Sequence, residues 1–143
     1  MSVSQKCLYA LRAVIELARA RESGPQKISD VAAAQAIPAR FLEVILNELR
    51  QGGFVDSRRG KEGGYFLLRD PEKITVGDII RFVEGPIRPA EPQSPTLAGS
   101  LALNEVWIAA EAALTRTYDD MTIAALLRRD RELKGSIPPD FTI

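Results

Sequence analysis

The sequence contains no histidine and only one cysteine, Cys7. A lone cysteine cannot form an intrachain disulfide, and it cannot complete a Cys₄ or Cys₂His₂ zinc site. Without histidine the chain also lacks the commonest general base and metal ligand, and with them the Ser-His-Asp and Cys-His catalytic arrangements. We therefore expect no enzymatic activity, no metal site and no cofactor.

A long apolar run is also missing. No run of about 18 apolar residues occurs, so we expect no membrane span. The first residues lack the basic-then-apolar layout of a signal peptide, and we expect a cytoplasmic protein. The 143 residues are 45% hydrophobic, which suffices for the core of one domain.

The net charge is zero, but the charges are unevenly distributed. Residues 1–70 contain 11 Lys/Arg and 8 Asp/Glu, whereas residues 71–143 contain 8 and 11. Part of the basic excess is clustered at Arg58, Arg59 and Lys61. This asymmetry raises the question of what the basic first half contacts.

The first 53 residues have the pattern of a helix-turn-helix. The spacing predicts a helix from about residue 4 to 21, with Ser4 as its N-cap and Cys7 as a partly buried small residue. Ser29 is predicted to cap a second helix over 30–35, and a third helix follows over 39–51 after the tight turn 36–38. For Cys7, the alternative is a redox switch, which requires an exposed thiolate.

The third helix has two chemically different faces. Four aliphatic residues are expected to face the core: Leu42, Ile45, Leu46 and Leu49. The opposite side combines charged, amide and apolar groups: Arg40, Glu43, Val44, Asn47, Arg50 and Gln51. Guanidinium, amide and carboxylate groups are those that read base edges in a DNA major groove. An ordinary solvated helix face is the alternative.

A basic hairpin follows directly. Residues 54–57 and 65–68 are predicted to form two strands, joined by a loop that carries Arg58, Arg59 and Lys61 among glycines. A helix-turn-helix followed by such a hairpin predicts a winged helix. The wing tip would contact phosphates or insert an arginine into the minor groove. Alternatively, the charges only keep a hairpin tip soluble.

The second half of the chain predicts three further helices and a connector. Thr75 is expected to cap a helix over 76–84, and prolines then recur every third residue from Pro86 to Pro95, as in a stiff extended connector. A long helix is predicted over 101–118 and a short one over 123–129. The predicted units are thus a winged helix-turn-helix (1–84), a connector (85–100), the two last helices (101–131) and a tail (132–143).

The long helix carries an apolar stripe that its own domain cannot easily cover. Pairing with the same helix of a second chain would bury the stripe, although packing within the chain is the alternative. The residues that we assign to dimerisation are Leu103, Val106, Trp107, Ala110, Leu114 and Tyr118. The predicted fold is therefore mainly α with a small β-hairpin and a long C-terminal dimerisation helix.

With these residues in view, the sequence resembles the IscR/NsrR/CymR family of bacterial winged-helix regulators, the Rrf-two type. The resemblance extends over nearly the whole chain. It is carried by the runs 9–13 (YALRA), 41–43 (FLE), 49–55 (LRQGGFV), 57–60 (SRRG), 63–65 (GGY), 74–80 (ITVGDII), 84–86 (EGP) and 121–126 (MTIAAL).

The resemblance implies a homodimeric regulator, which we expect to be a repressor, on a palindromic operator in double-stranded DNA. The third helix would enter the major groove and Arg59 the minor groove. We therefore assign the candidate DNA-binding residues as follows: Ser29, Arg40, Glu43, Asn47, Arg58, Arg59 and Lys61. A small-molecule or protein effector is implied but not identified. The alternative function is a protein-interaction module regulated by a metabolic enzyme partner.

The chain departs from this family at the site of its metal chemistry. Members resembling IscR and NsrR hold an iron-sulfur cluster on three cysteines just before the long helix, with a fourth ligand from the first helix. Here residues 85–100 contain no cysteine, and Leu8 and Arg12 occupy the matching positions of the first helix. Neither side chain is an iron ligand, so we predict no cluster.

Overall fold

The first helix, α1 (Gln5–Arg19), is the element against which most of the others pack, in a computed structural model that describes residues 2–136. Its start is fixed by the Ser4 hydroxyl, which accepts a hydrogen bond from the backbone N–H of Cys7 at 3.1 Å. The middle of the buried side of α1 is lined by Ala10, Ala13 and Val14, and the larger Leu17 follows them. Because the first three side chains are small, neighbouring elements approach the helix closely.

The structure confirms the mainly helical fold with one hairpin. Helices α2 (Ile28–Gln35) and α3 (Ala39–Gln51) precede strands β1 (Val55–Arg58) and β2 (Gly64–Leu67). Helices α4 (Val76–Glu84), α5 (Ser100–Asp119) and α6 (Ile123–Gly135) follow. Short 3₁₀ turns occur at Arg21–Ser23 and Pro71–Lys73. Within residues 2–136, no helix is long and apolar enough to cross a membrane.

The start of α2 differs from the prediction. The helix begins at Ile28 with Lys27 as its N-cap, and no side chain caps it. Ser29 is therefore an exposed residue of the first turn, and its predicted role as N-cap is wrong. The reason is the preceding residue, because Gln26 is held in a β-bridge to Tyr65 and the chain turns into the helix immediately after it.

The turn between α2 and α3 depends on one unusual backbone conformation. Ala36 has φ +52°, in the left-handed region. The guanidinium of Arg12 in α1 donates a hydrogen bond to the carbonyl oxygen of Gln35, at the end of α2. Ile37 is buried within the turn. These contacts attach the helix-turn-helix to α1.

The hairpin is antiparallel, with Val55 opposite Leu67 and Arg58 opposite Gly64. Each strand is displaced by one residue from its predicted position, toward the tip. The reason is a tight loop, in which the N–H of Gly63 donates to the carbonyl oxygen of Gly60 at 3.0 Å. The ladder therefore extends further toward the loop than the apolar pattern indicated.

The junction of α4 and α5 explains the glycine within α4. Thr75 caps α4 in a capping box with Asp78, as the Thr75 position predicted. A Cβ at Gly77 would lie 1.9 Å from a carboxylate oxygen of Asp119, at the end of α5. That carboxylate accepts a hydrogen bond from Arg81 at 2.7 Å. Gly77 thus allows the two helices to meet.

The connector is attached to the rest of the protein. Ile87 is buried in a small cluster with Cys7 and Ile80. Further along, the Asn104 side chain of α5 makes two hydrogen bonds to the backbone of Gln93, of 2.9 and 3.0 Å. The connector therefore packs on α1, α4 and α5 and does not extend as a free arm.

The last helix is longer than predicted. Helix α6 continues to Gly135, beyond the predicted end at residue 129 and into the segment predicted as a tail. Ion pairs Arg129–Glu132 (2.9 Å) and Asp130–Lys134 (3.0 Å) lie along this extension. Such pairs stabilise a helical turn. The predicted tail residues 137–143 lie outside the described residues.

A buried carboxylate joins α1 to α2. Glu16 is only 4% exposed, and its carboxylate accepts hydrogen bonds from Arg19 (2.9 Å) and from the Gln35 side chain (3.3 Å). The Arg19 hydrogen bond lowers the pKa of Glu16 below 4.5, against the opposing effect of burial. Glu16 is therefore ionised in the folded protein at neutral pH.

We predict that Glu16→Gln destabilises the protein by about 1–3 kcal/mol at pH 7. Because the folded pKa is lowered, the charge of Glu16 contributes stability above pH 4.5 that is lost as the pH falls through the folded value. The difference in unfolding free energy between wild type and variant should thus shrink below pH 4.5. Urea unfolding of both proteins at neutral and acidic pH measures this difference in unfolding free energy.

Glu48→Gln is the matched control. Glu48 forms an exposed ion pair with Lys6 at 2.8 Å, with its own side chain 39% exposed. Exposed pairs typically contribute about 0–1 kcal/mol, so this variant should be close to wild type. Equal losses for the two variants, or a Glu16→Gln loss that does not change with pH, would contradict the account.

Candidate nucleic-acid interface

Helix α3 buries one face and exposes the other, as its sequence predicted. The four aliphatic residues are each at most 4% exposed: Leu42, Ile45, Leu46 and Leu49. The opposite side exposes five of the six predicted residues, while Asn47 is half-buried. The core contact therefore fixes which side chains of α3 are available to a partner.

Three polar side chains on this face differ in the contacts that they make within the protein. Asn47 accepts a hydrogen bond from Arg50 at 2.8 Å. The guanidinium of Arg40 lies over the ring of Phe41, 5.0 Å from its centroid. Within residues 2–136, Arg40 and Glu43 make no side-chain hydrogen bond or ion pair. Their polar groups are therefore available to a ligand.

Two apolar residues on α3 are more exposed than their type suggests. Phe41 is 48% exposed and Val44 is 55% exposed. They line a groove of about 380 Å³ between α1 and α3, with Tyr9 and Ile45. Val44 was placed on the outer face by the sequence, but Phe41 was not identified as a site residue. The sequence signal that could have identified Phe41 is that it and Val44 are the two large apolar residues of α3 outside its buried stripe.

The wing carries its cations at and beside the tip. Arg58 ends β1, and its guanidinium lies over the ring of Phe66, 5.2 Å from the centroid. Arg59 and Lys61 are exposed in the loop, and neither is hydrogen-bonded or ion-paired to any other described residue. The positively charged tip of the wing is thus exposed to solvent.

The base of the wing is held by the segment that precedes α2. Gln26 and Tyr65 exchange two backbone hydrogen bonds, of 2.8 and 2.7 Å, which cover the outer edge of β2. Gly64 has φ +148°, and a Cβ there would lie 2.4 Å from the carbonyl oxygen of Gln26. Glycine at 64 thus permits the backbone contact that positions the wing beside the helix-turn-helix.

Cys7 lies away from this surface and is fully buried. Burial raises the pKa of the Cys7 thiol to about 11, and the negative charge of Glu84 adds to the effect. At neutral pH the thiol is therefore protonated. The structure favours the interpretation of Cys7 as a buried small residue, because a redox switch requires an accessible thiolate.

The long helix α5 divides into two parts. Leu114 and Tyr118 pack against the cluster of Cys7, Ile80 and Ile87. These two predicted dimerisation residues therefore make contacts within their own chain, as the intrachain alternative proposed. Trp107 and Ala110 are half-buried. The first half of α5 exposes four large apolar residues: Leu101 (69%), Leu103 (42%), Val106 (53%) and Ile108 (68%).

A helix-turn-helix whose second helix exposes polar groups, joined to a hairpin with a basic tip, defines a winged-helix protein of the kind that contacts nucleic acid. Comparisons with known proteins support this assignment to the winged-helix class. The family model Rrf2, described as an iron-dependent transcriptional regulator, matches residues 3–129. The chain therefore belongs to the Rrf2 family of transcriptional regulators, and it is not an enzyme.

Two relatives illustrate the similarity. CymR of Bacillus subtilis, an HTH-type transcriptional regulator, is 37% identical over 129 residues, which are 88% of this chain and 89% of CymR. The structure of CymR, described as the global cysteine regulator of B. subtilis, matches with a TM-score of 0.80 over 88% of this chain and 95% of that chain. The structure of T. potens IscR matches with a TM-score of 0.79 and 28% identity, over 99% and 97% of the two chains.

The family description refers to iron, but the residues of this chain do not fit an iron site. The connector between α4 and α5 offers neither thiol nor imidazole, and the single thiol is buried and protonated. Residues 2–136 contain no group of three or more Cys, Asp and Glu side chains that could hold a metal ion. The donor set thus differs from the thiolate set that iron-sulfur clusters require.

We predict that Gly64→Ala destabilises the protein more than Gly60→Ala. Both glycines have positive φ, of +148° and +103°, so alanine costs about 1–3 kcal/mol of backbone strain at either position. Only Gly64 adds a clash, because the Gln26 backbone is adjacent, whereas no atom lies within 4 Å of a Cβ at Gly60. Urea unfolding compares the two variants, and equal losses would contradict the proposed role of Gly64.

Proposed function

We propose that this regulator is a sequence-specific DNA-binding repressor that acts as a homodimer on a palindromic operator, without an iron-sulfur cluster. The observation that carries the proposal is a set of exposed charged groups on α3 and the wing tip. The exposed groups of α3 and of the wing tip include Arg40, Glu43, Arg59 and Lys61, which have no hydrogen-bonding or ionic partner within residues 2–136. Such groups suit the hydrogen-bonding edges and phosphates of DNA.

Helix α3 is the proposed major-groove reader. Arginine pairs in bidentate fashion with guanine, and glutamate accepts a hydrogen bond from the cytosine amino group. Arg40 and Glu43 lie on adjacent turns of the exposed face, so both groups reach neighbouring base pairs. Asn47 is the third candidate, and its amide must exchange its Arg50 partner for a base.

The wing and the start of α2 are the proposed backbone contacts. Arg59 enters the minor groove, where a narrow groove has an enhanced negative potential. Arg58 and Lys61 contact phosphates on either side. The N-terminus of α2 has no side-chain cap, so the backbone N–H groups of its exposed first turn at Ser29, beside Asp30, are the proposed phosphate donors.

The first half of α5 is the proposed dimer contact. It exposes the predicted residues Leu103 and Val106, and in addition Leu101 and Ile108, which the predicted stripe omitted. A two-fold contact through this surface would bury apolar area that stays in water in a single chain. It would also present two winged helices to two inverted half-sites.

We predict that Arg40→Ala and Arg59→Ala each weaken operator binding by about 1–3 kcal/mol. Each variant removes a base or groove contact, whereas Lys61→Ala should weaken binding to all sequences and reduce the salt dependence by about one ion. The measurement is a binding titration at several salt concentrations, with an operator selected from genomic fragments by the purified protein.

Arg131→Ala is the control, since it removes an equal charge from an exposed position on α6. It should bind as wild type does. The assignment is wrong if Arg40→Ala and Arg59→Ala bind as tightly as this control. A stoichiometric protein partner in a pull-down, without salt-sensitive DNA binding, would instead favour the protein-interaction module.

We predict that the protein purified without oxygen lacks the visible absorbance of an iron-sulfur cluster and contains no stoichiometric iron. The physical reason is the donor set described above, with one buried, protonated thiol. Absorbance spectra and iron analysis measure this, and operator affinity should not change after treatment with an iron chelator. A strong visible band together with bound iron would overturn the proposal that the regulator works without a cluster.

A further inference from the structure

Phe41 and Val44 form an exposed apolar patch at the edge of the proposed reading face of α3, where Val44 lies on that face and Phe41 lies beside it, in the groove toward α1. They are the large hydrophobic residues of α3 that remain outside the core, at 48% and 55% exposure. Both line the groove of about 380 Å³ beside the helix. We call these two residues the apolar patch.

Two cations lie beside the apolar patch, and the exposed carboxylate of Glu43 shares this side of α3 with them. Arg40 stacks on Phe41 at 5.0 Å and has no acidic partner within residues 2–136. Lys6 lies on the rim of the groove, where Glu48 holds it at 2.8 Å. This charge pattern favours DNA as the occupant of the patch over an apolar protein surface, because an apolar partner would leave Arg40 without a counter-charge.

The chemistry of the patch specifies what it reads. Among the groups that base pairs present in the major groove, the C5-methyl group of thymine is the apolar one. We propose that Val44 and Phe41 bind thymine methyl groups and thereby give the operator a thymine preference. This inference rests on the proposed DNA-binding function and deepens it, since it names a specificity that the charged residues cannot supply.

The positions on α3 also fix where the thymine lies. Arg40 and Val44 are one turn apart on the helix, which is about 6 Å along its axis. Stacked bases are separated by about 3.4 Å along one strand. The thymine read by Val44 therefore lies within about two base pairs of the base read by Arg40. The stacking of Arg40 on Phe41 keeps the two readers adjacent.

The test removes the methyl group and nothing else. An operator is first selected from random double-stranded DNA with the full-length protein, and each thymine is then replaced by deoxyuridine. This replacement keeps every hydrogen bond of the base pair. Affinities are measured for wild type, Val44→Ala, Phe41→Ala and the control Leu133→Ala, which removes an exposed apolar side chain of α6.

For wild type and Leu133→Ala, we expect a loss of about threefold to fivefold at one thymine or more in each half-site, the size expected for burial of one methyl group. Val44→Ala should lose a similar factor on the thymine duplex, and its discrimination against deoxyuridine should fall below about 1.5-fold at that position. Circular dichroism verifies that the variants remain folded.

Three results would overturn the inference. Equal affinity for every deoxyuridine duplex shows that no methyl group is read. Undiminished methyl discrimination in both Val44→Ala and Phe41→Ala shows that another residue reads it. A sensitive thymine far from the position that Arg40→Ala affects contradicts the predicted spacing. The proposed function fails separately, if the protein selects no DNA sequence.

Discussion

The close packing of α1 is the constraint on which the rest of the structure depends. Its buried side combines Ala10 and Ala13 with Val14, so that α2, α3, α4, α6 and β2 all approach the same helix. A larger side chain at either alanine would have to displace a neighbour in a close-packed core. Because the helix-turn-helix, the wing and the start of α6 share this support, the exposed face of α3 and the wing tip keep a fixed relation to one another.

The same helix also connects the winged-helix unit to the second half of the chain. Its first turn places Cys7 beside Ile80 and Ile87, and Leu114 and Tyr118 of α5 pack on that cluster. The Arg81–Asp119 ion pair (2.7 Å) and the close approach at Gly77 complete the junction of α4 and α5. The basic first half of the chain and its acidic, cysteine-free second half are thus held together by packing.

The sequence predicted those features that follow from local patterns. The bounds and the two faces of α3 follow from its 3.6-residue period, and the Thr75 cap from local hydrogen bonding. Features that depend on long-range contacts were not predictable. Ser29 is not the N-cap, because the Gln26 bridge to Tyr65 decides where α2 begins. The sequence could not show that Leu114 and Tyr118 pack within the chain while Leu103 and Val106 stay exposed. An apolar stripe on a helix does not indicate which surface covers each of its residues. The exposure of Phe41 depends on the angle between α1 and α3, which no local pattern specifies.

A hydroxyl-radical footprint of the protein on its selected operator tests the central claim most directly. Two winged helices bound to inverted half-sites should give two protected regions of equal extent, related by two-fold symmetry. In each half-site, protection of the backbone along the major groove that α3 contacts should be accompanied by protection of the flanking minor groove, since α3 and the wing that carries Arg59 belong to one winged-helix unit. A single protected region without symmetry, or uniform protection at all concentrations, would contradict a dimer that reads a specific sequence.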